Sequence, residues 1–255
     1  MSARHFVASA LAAALLAGSA AASAQGKPMD DAALSDTWGQ ALLDLTNTSQ
    51  GGYDFSRITL NADIKMSSSL TGLVLGTHAD GSSDINISAL NFGRSDLDDA
   101  HRTVAIANPY FEWVYSGTAA AGDRQVVGMR VGFGGITGDV GLLMNTVSGS
   151  LTLDTGASTG QAKGVGSQLS SLSACNGACT VALNQIGGVT AGNADGPSRD
   201  FFLSILKAAV TYPTTATGVP VSATAQAGFW LNWTDRLAAL NTTGSVPPNV
   251  PKIGP

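Results

Sequence analysis

From Ile58 onward the chain alternates. Ile58, Leu60, Ala62, Ile64 and Met66 are separated by single polar residues, and Leu70 extends the run. A period of two marks a half-buried β-strand, because successive side chains leave opposite faces of the pleat. Residues 83–93 (SDINISALNFG) continue the pattern, and residues 124–153 (RQVVGMRVGFGGITGDVGLLMNTVSGSLTL) repeat it over a longer, glycine-rich stretch. Glycine inside strands points to bulges or to close approach of another backbone. These runs confine the chain to a mainly β fold. The expectation is a repeat-like β-solenoid or an elongated β-sandwich, with one or two short helices.

A triplet recurs within the runs: an apolar residue, then Ser or Thr, then Gly or Ala. It occurs as Leu70-Thr71-Gly72, Ile87-Ser88-Ala89, Val147-Ser148-Gly149 and Val221-Ser222-Ala223. ADIKMSSSLTGLVL and GDVGLLMNTVSGSLTL also align with small gaps, from Asp63-Ile64 and Asp139-Val140 onward. Stacked similar rungs would produce such echoes, and so would a composition rich in Gly, Ser and Thr.

Helical spacing appears in two places. Residues 25–46 read as an N-terminal helical segment: Pro28 suits a first turn, Asp30 and Asp31 suit the helix N-terminus, and Leu34, Trp38, Ala41, Leu42 and Leu45 share a face. SRDFFLSILKAAVTY (198–212) reads as an amphipathic helix capped by Ser198. RSDLDDAHR (94–102) is a polar turn or short helix. A β-rich domain then spans 47–245, and the proline-rich tail 246–255 is expected to be extended.

Residues 1–24 read as a secretory signal peptide: Arg4 and His5 precede an apolar stretch (6–17), and Ala22-Ser23-Ala24 supplies small residues for cleavage. The apolar stretch is short for a membrane span, and no later one approaches the roughly 18 residues a spanning helix needs. The roughly 230 residues that remain suffice for one large β domain or two small ones. Only 12 % of the chain is charged, and the formal charge is −5, or −6 once Arg4 is removed. Without basic clusters, nucleic acid and anionic membrane surfaces are not the expected partners. The expected location is outside the cytoplasm: the cell surface, the outer membrane or the extracellular space.

Export bears on the two cysteines, Cys175 and Cys179, in ACNGAC. An oxidising compartment and an even count favour a disulfide, and Asn176-Gly177 turns the chain between them. A redox-active pair fits less well, since the C-x-x-C spacing is missing. A zinc site lacks histidines at ligand spacing. No cofactor and no metal are expected.

LTLDTGASTG (151–160) carries two catalytic patterns at once. Asp154-Thr155-Gly156 is the tripeptide of aspartic peptidases, and Gly156-Ala157-Ser158-Thr159-Gly160 fits the nucleophile elbow. An aspartic peptidase needs two carboxylates sharing a proton, and the chain carries one such tripeptide. The elbow needs a helix after the serine and a histidine later in the chain; no histidine follows His101. The competing reading is a strand end with Asp and Gly as turn residues. Catalytic residues are therefore expected to be none, with an aspartic-type hydrolase using Asp154 as the alternative. HADGSSDINIS (78–88) and NADGPSRD (193–200) bear oxygens near glycine but lack EF-hand spacing, so turns are expected. Asp96, Asp98, Asp99 and Glu112 show no paired arrangement. Trp113, Tyr115, Phe229, Trp230 and Trp233 suit core and strand-edge positions, or a groove for sugar or lipid.

PMDDAALSDTWGQALLDL resembles the opening of a poorly characterised family of exported proteobacterial surface proteins, some pilus-associated. The matching positions are Met29, Asp30, Asp31, Leu34, Gly39 and Gln40, with Trp38 where a small or β-branched residue is usual. The resemblance extends in character through DFSRITLNADI and NPYFEWVYSG. It implies a structural protein of a cell surface or filament, working through contacts with other envelope or filament proteins or with itself. It supplies no catalytic residues. A binding module for a hydrophobic or carbohydrate ligand is the remaining alternative.

Overall fold

The computed structural model describes residues 42–117, 122–156, 160–213 and 224–251. Strands β1 (Leu43–Gln50) and β2 (Tyr53–Leu60) form a hairpin closed by Gly51 and Gly52. Both glycines have positive φ, as a two-residue turn matching strand twist requires. β3 (Asp63–Met66) leads to a second hairpin of β4 (Ser68–Thr77) and β5 (Ser83–Phe92), and β6 (Val104–Ser116) follows. β7 (Gln125–Asp154) is one thirty-residue strand. Shorter strands complete the sheet: β8 (Gln161–Leu169), β9 (Ser171–Ala174), β10 (Cys179–Ala182), β11 (Gly188–Ala191), β12 (Phe202–Leu206), β13 (Gly228–Trp233) and β14 (Leu237–Ala239).

β7 organises the rest. Along one edge it pairs in turn with β6, β5 and β8; along the other with β12, β11, β13 and β14. Nearly all pairings are antiparallel, the exceptions among the strands being the short parallel contacts of β13 and β14 with β7. The result is a large bent sheet folded on itself in a sandwich-like manner, without the parallel stacked rungs of a solenoid. The two similar segments of the sequence are not equivalent units. The first is split between β3 and β4, whereas the second runs unbroken through β7.

Apolar side chains from the alternating runs fill two cores. The larger gathers Ile85, Val104, Ile136, Val140, Met144, Leu151, Leu172, Leu183 and Trp233. The smaller gathers Phe55, Val114, Phe202, Leu206, Tyr212 and Trp230. One polar strut fixes the β4–β5 hairpin to β13. Asp84, nearly buried at the hairpin, accepts from the Phe229 backbone N–H (2.9 Å) and from Ser148 Oγ (3.4 Å), with His78 Nε2 at 3.0 Å. Gly76 and Gly228 make room for it, since a Cβ at either would lie within 2.5 Å of Asp84 Oδ2. Removing this acceptor leaves a half-buried N–H unpaired, which costs about 1–2 kcal/mol. Asp84→Ala is therefore expected to lower the unfolding free energy by that amount, read in urea denaturation as a lower midpoint at unchanged slope.

One helical expectation meets a strand. Residues 198–212 hold β12, whose side chains alternate between buried and half-buried or exposed and whose backbone pairs with β7 on one edge and β13 on the other. Pairing on both edges, with aromatic and β-branched residues in the segment, overrides the helical spacing. Ser198 caps no helix; it exchanges backbone hydrogen bonds with Ile136 (2.8 and 3.0 Å) and its Oγ accepts from Trp233 Nε1 (2.9 Å). Of the N-terminal segment, residues 25–41 and the signal peptide lie outside the described residues. Of its described end, Leu42 is helical and residues 43–46 belong to β1. The helical structure among the described residues is limited to short turns such as Asp99–Arg102, capped by Asp98. No helix there is long and apolar enough to cross a membrane. The tail is tied down: the carbonyls of Pro247, Pro248 and Val250 accept from Asn91, Ser95 and Arg102.

Candidate functional site

Asp154 stands at the end of β7, exposed. Its Oδ1 accepts from the Gly156 backbone N–H (2.9 Å), and Thr155 Oγ1 donates to the Gly160 carbonyl (2.7 Å). Gly156 has φ +92°, which suits glycine. The tripeptide thus forms a hydrogen-bonded turn between β7 and β8. Thr152, Gln161, Asn193, Thr234 and Arg236 line the hollow beside Asp154, with no second carboxylate and no histidine among its lining residues. Ser158 lies outside the described residues.

Cys175 and Cys179 are joined by a disulfide across the turn between β9 and β10, with Cα atoms 5.5 Å apart. The acidic loops serve as turns: Asp80 accepts from the Ser82 backbone N–H and hydroxyl, and Asn193 accepts from the Asp195 N–H. Asp200 is buried and holds the backbone of Thr234 and Asp235. Among the described residues, no three His, Cys, Asp or Glu side chains gather as a metal site requires.

The carboxylate that spacing left unpaired is the centre of a buried charge cluster. Glu112 on β6 faces Arg57 on β2 and Arg130 on β7 in direct register. It accepts from Arg57 Nε at 2.7 Å and from Arg130 Nε at 2.6 Å. Glu112 and Arg130 are buried, and the guanidinium of Arg130 sits 3.8 Å from the Tyr212 ring centroid and 5.0 Å from that of Phe202. Arg57 covers Tyr110 at 4.2 Å. Burial opposes the Arg130 charge, but Tyr110 and Glu112 outweigh it and hold its pKa above the ordinary value. Among the described residues the Arg130 Nη atoms have no hydrogen-bond acceptor, so aromatic faces and the Glu112 carboxylate supply what replaces water. The cluster is enclosed and binds the sheet together.

Burial also pushes the Tyr110 and Tyr212 phenols up, against the pull of Arg130. As pH rises past 10.0, the ordinary tyrosine value, the unfolded chain loses these protons while the folded chain keeps them. The unfolded state then binds fewer protons, so stability falls with rising pH from that point. Phenolate absorbance from these two residues is expected to appear only together with loss of the β signal in circular dichroism. Tyr212→Phe is expected to flatten that alkaline slope.

An exposed surface offers more to a partner. Directly opposed residues of neighbouring strands share a face. One such row runs exposed or half-buried through Leu45, Ile58, Phe111 and Val131 on β1, β2, β6 and β7, then passes into the core at Leu203 of β12 and buried Leu231 of β13. The next rung contains Trp113, Met129, Ile205 and Phe229. Leu45 is 69 % exposed, Phe111 51 % and Ile205 45 %. Trp113, Val126, Ile205 and Phe229 line a shallow open groove on this face. Trp230 and Trp233 are in the cores, and Tyr115 lies under the Arg124 guanidinium. The face joins a bare edge. All eight residues of β1 are exposed, and among the described residues β1 pairs only with β2. Its sequence, LDLTNTSQ, has neither the lysine nor the proline that commonly blunts an edge.

Measured against protein-family models, curated proteins and solved structures, the chain matches none. The site therefore rests on its own geometry. Sequence reasoning marked Trp113 and Phe229 but not Phe111 or Val131, and it placed Ile205 on a helix face, because the row exists only across strands. The signal that pointed to it was the apolar content of both alternating positions in YFEWVY and FFLSIL.

Proposed function

We propose that this chain is an exported structural protein of a cell surface or filament, acting through protein–protein contacts. The observation that carries the reading is the apolar row from Leu45 to Val131, which lies exposed or half-buried beside a bare strand edge. Contiguous apolar patches on a protein surface mark interaction sites. An open edge accepts a further strand through main-chain hydrogen bonds, while the adjacent face supplies side-chain contacts. Low charge keeps repulsion between neighbouring copies small, and the Cys175–Cys179 disulfide suits an oxidising compartment.

The test is light scattering and cross-linking on residues 25–255 over a concentration series, alone and with the envelope fraction of the source cell. Concentration-dependent oligomers or a defined captured partner are expected. Phe111→Lys changes an exposed residue, so the fold should persist while association weakens about tenfold or more, as at a contact centre. A strictly monomeric chain that captures nothing, or a variant that associates as before, would overturn the reading.

A further inference from the structure

Where the apolar row reaches Leu203 and Leu231, it passes beneath the β4–β5 hairpin. The two layers do not close completely there. They leave a cleft of about 80 Å³, whose accessible wall is entirely apolar. The roof is formed by Leu73 and Leu75 of β4 with Leu90 and Phe92 of β5. Ile85, Ile87, Ile136, Leu142, Phe201 and Trp233 complete the walls around the two leucines of the floor.

Three observations separate this cleft from an ordinary packing defect. Leu73, Leu75, Leu90, Phe92, Phe201 and Leu203 are half-buried although they face the interior, so the cleft reaches solvent. Its base is rigid. Phe201 stacks on Phe133 at 5.0 Å and meets Trp233 edge-on at 5.0 Å, which fixes three rings against one another. The roof is also held at its far end, because the Asp84 strut ties the hairpin to the Phe229 backbone. Both surfaces are anchored apart from the cleft itself, and leucine side chains do not span what remains.

The space exceeds the roughly 10–15 Å³ that one water needs, yet it offers none of the 2–4 polar partners that hold a water in place. A sugar, a peptide or an anion would have to give up its hydration without recompense. What the walls accept is hydrocarbon. We propose that the cleft binds the end of an aliphatic chain, such as the acyl tail of a lipid-like amphiphile, with the polar head left in water at the mouth. The volume admits the end of a chain rather than its whole length. The site adjoins the contact face through Leu203 and Leu231 but shares no residue with its exposed Leu45–Val131 part, and each can fail without the other.

The test titrates residues 25–255 with dodecanoate below its micelle concentration, with acetate as the control for the carboxylate. Saturable binding of dodecanoate alone is expected, with a shift in tryptophan emission from Trp233 and a rise in Tm that grows with ligand concentration. Leu73→Phe fills the cleft from its roof and should cut dodecanoate affinity tenfold or more while leaving the fold intact. Nuclear Overhauser contacts from the dodecanoate terminal methyl to the Ile85 and Ile87 methyls of the wild type locate the site independently of that variant. Phe111→Lys should lose association yet bind dodecanoate normally. Absence of saturable binding, equal affinity in Leu73→Phe, or methyl contacts to the outer face in place of Ile85 and Ile87 would overturn the inference.

Discussion

Glu112→Ala is expected to cost about 3–5 kcal/mol, the range for breaking a buried ion pair by deleting one partner. The carboxylate is shared by Arg57 and Arg130, so its removal strands two guanidinium groups, one of them fully buried. Domains are commonly stable by only about 5–15 kcal/mol. The variant should therefore lie close to unfolding at room temperature, measured by urea denaturation. Glu112→Gln keeps the shape and one acceptor, and should recover part of the loss. A double replacement of Glu112 and Arg130 by well-packed apolar residues should be milder than either charge deletion alone. Equal losses for single and double variants would show that packing, and not the stranded charge, sets the cost.

Gly128→Ala and Gly149→Ala form the second large expectation. A Cβ at Gly128 would lie 2.1 Å from the Ile205 carbonyl oxygen, and one at Gly149 would lie 2.2 Å from that of Leu231. Both collisions are with backbone, so β12 or β13 must move away from β7. Each variant should lose about 3 kcal/mol, the upper part of the overpacking range. Gly134→Ala is the comparison within the same strand. There the added carbon meets the exposed Asn108 Cβ at 3.0 Å, which has room to shift. Its expected loss is under about 1 kcal/mol. Thermal unfolding of the three variants side by side decides the matter, and equal shifts would mean that strand propensity rather than close approach is at work.

Much of the architecture was legible because it is written locally. The long alternating run at 124–153 corresponds to β7 within one residue at each end, and the run at 83–93 contains β5. Ala174–Cys179 holds its turn and its disulfide as the spacing implied. What failed depended on distant partners. Residues 198–212 have helical spacing, but β7 and β13 supply hydrogen bonds on both sides of β12 that no local pattern announces. The Glu112 cluster was hidden for the same reason. Positions 57, 112 and 130 are far apart in sequence and become neighbours only through register. A clue was present: Glu112 occupies the same phase of the alternation as Tyr110 and Val114, which made it an inward-facing charge in need of a counterion. The proline-rich tail was read as extended, and its anchoring to Asn91 and Ser95 required the surrounding structure.

β7 also has a temporal meaning. It contacts strands formed by residues 83–116 before it and strands reaching to residue 239 after it. Neither half of the chain can satisfy its hydrogen bonds without this middle segment, and the middle segment cannot do so until nearly the whole chain is present. Pairings of such long sequence separation are slow to form, because loop closure comes before the contacts that offset it. The chain should accordingly gain its structure late and in a single cooperative step, with no stable fragment on either side of β7.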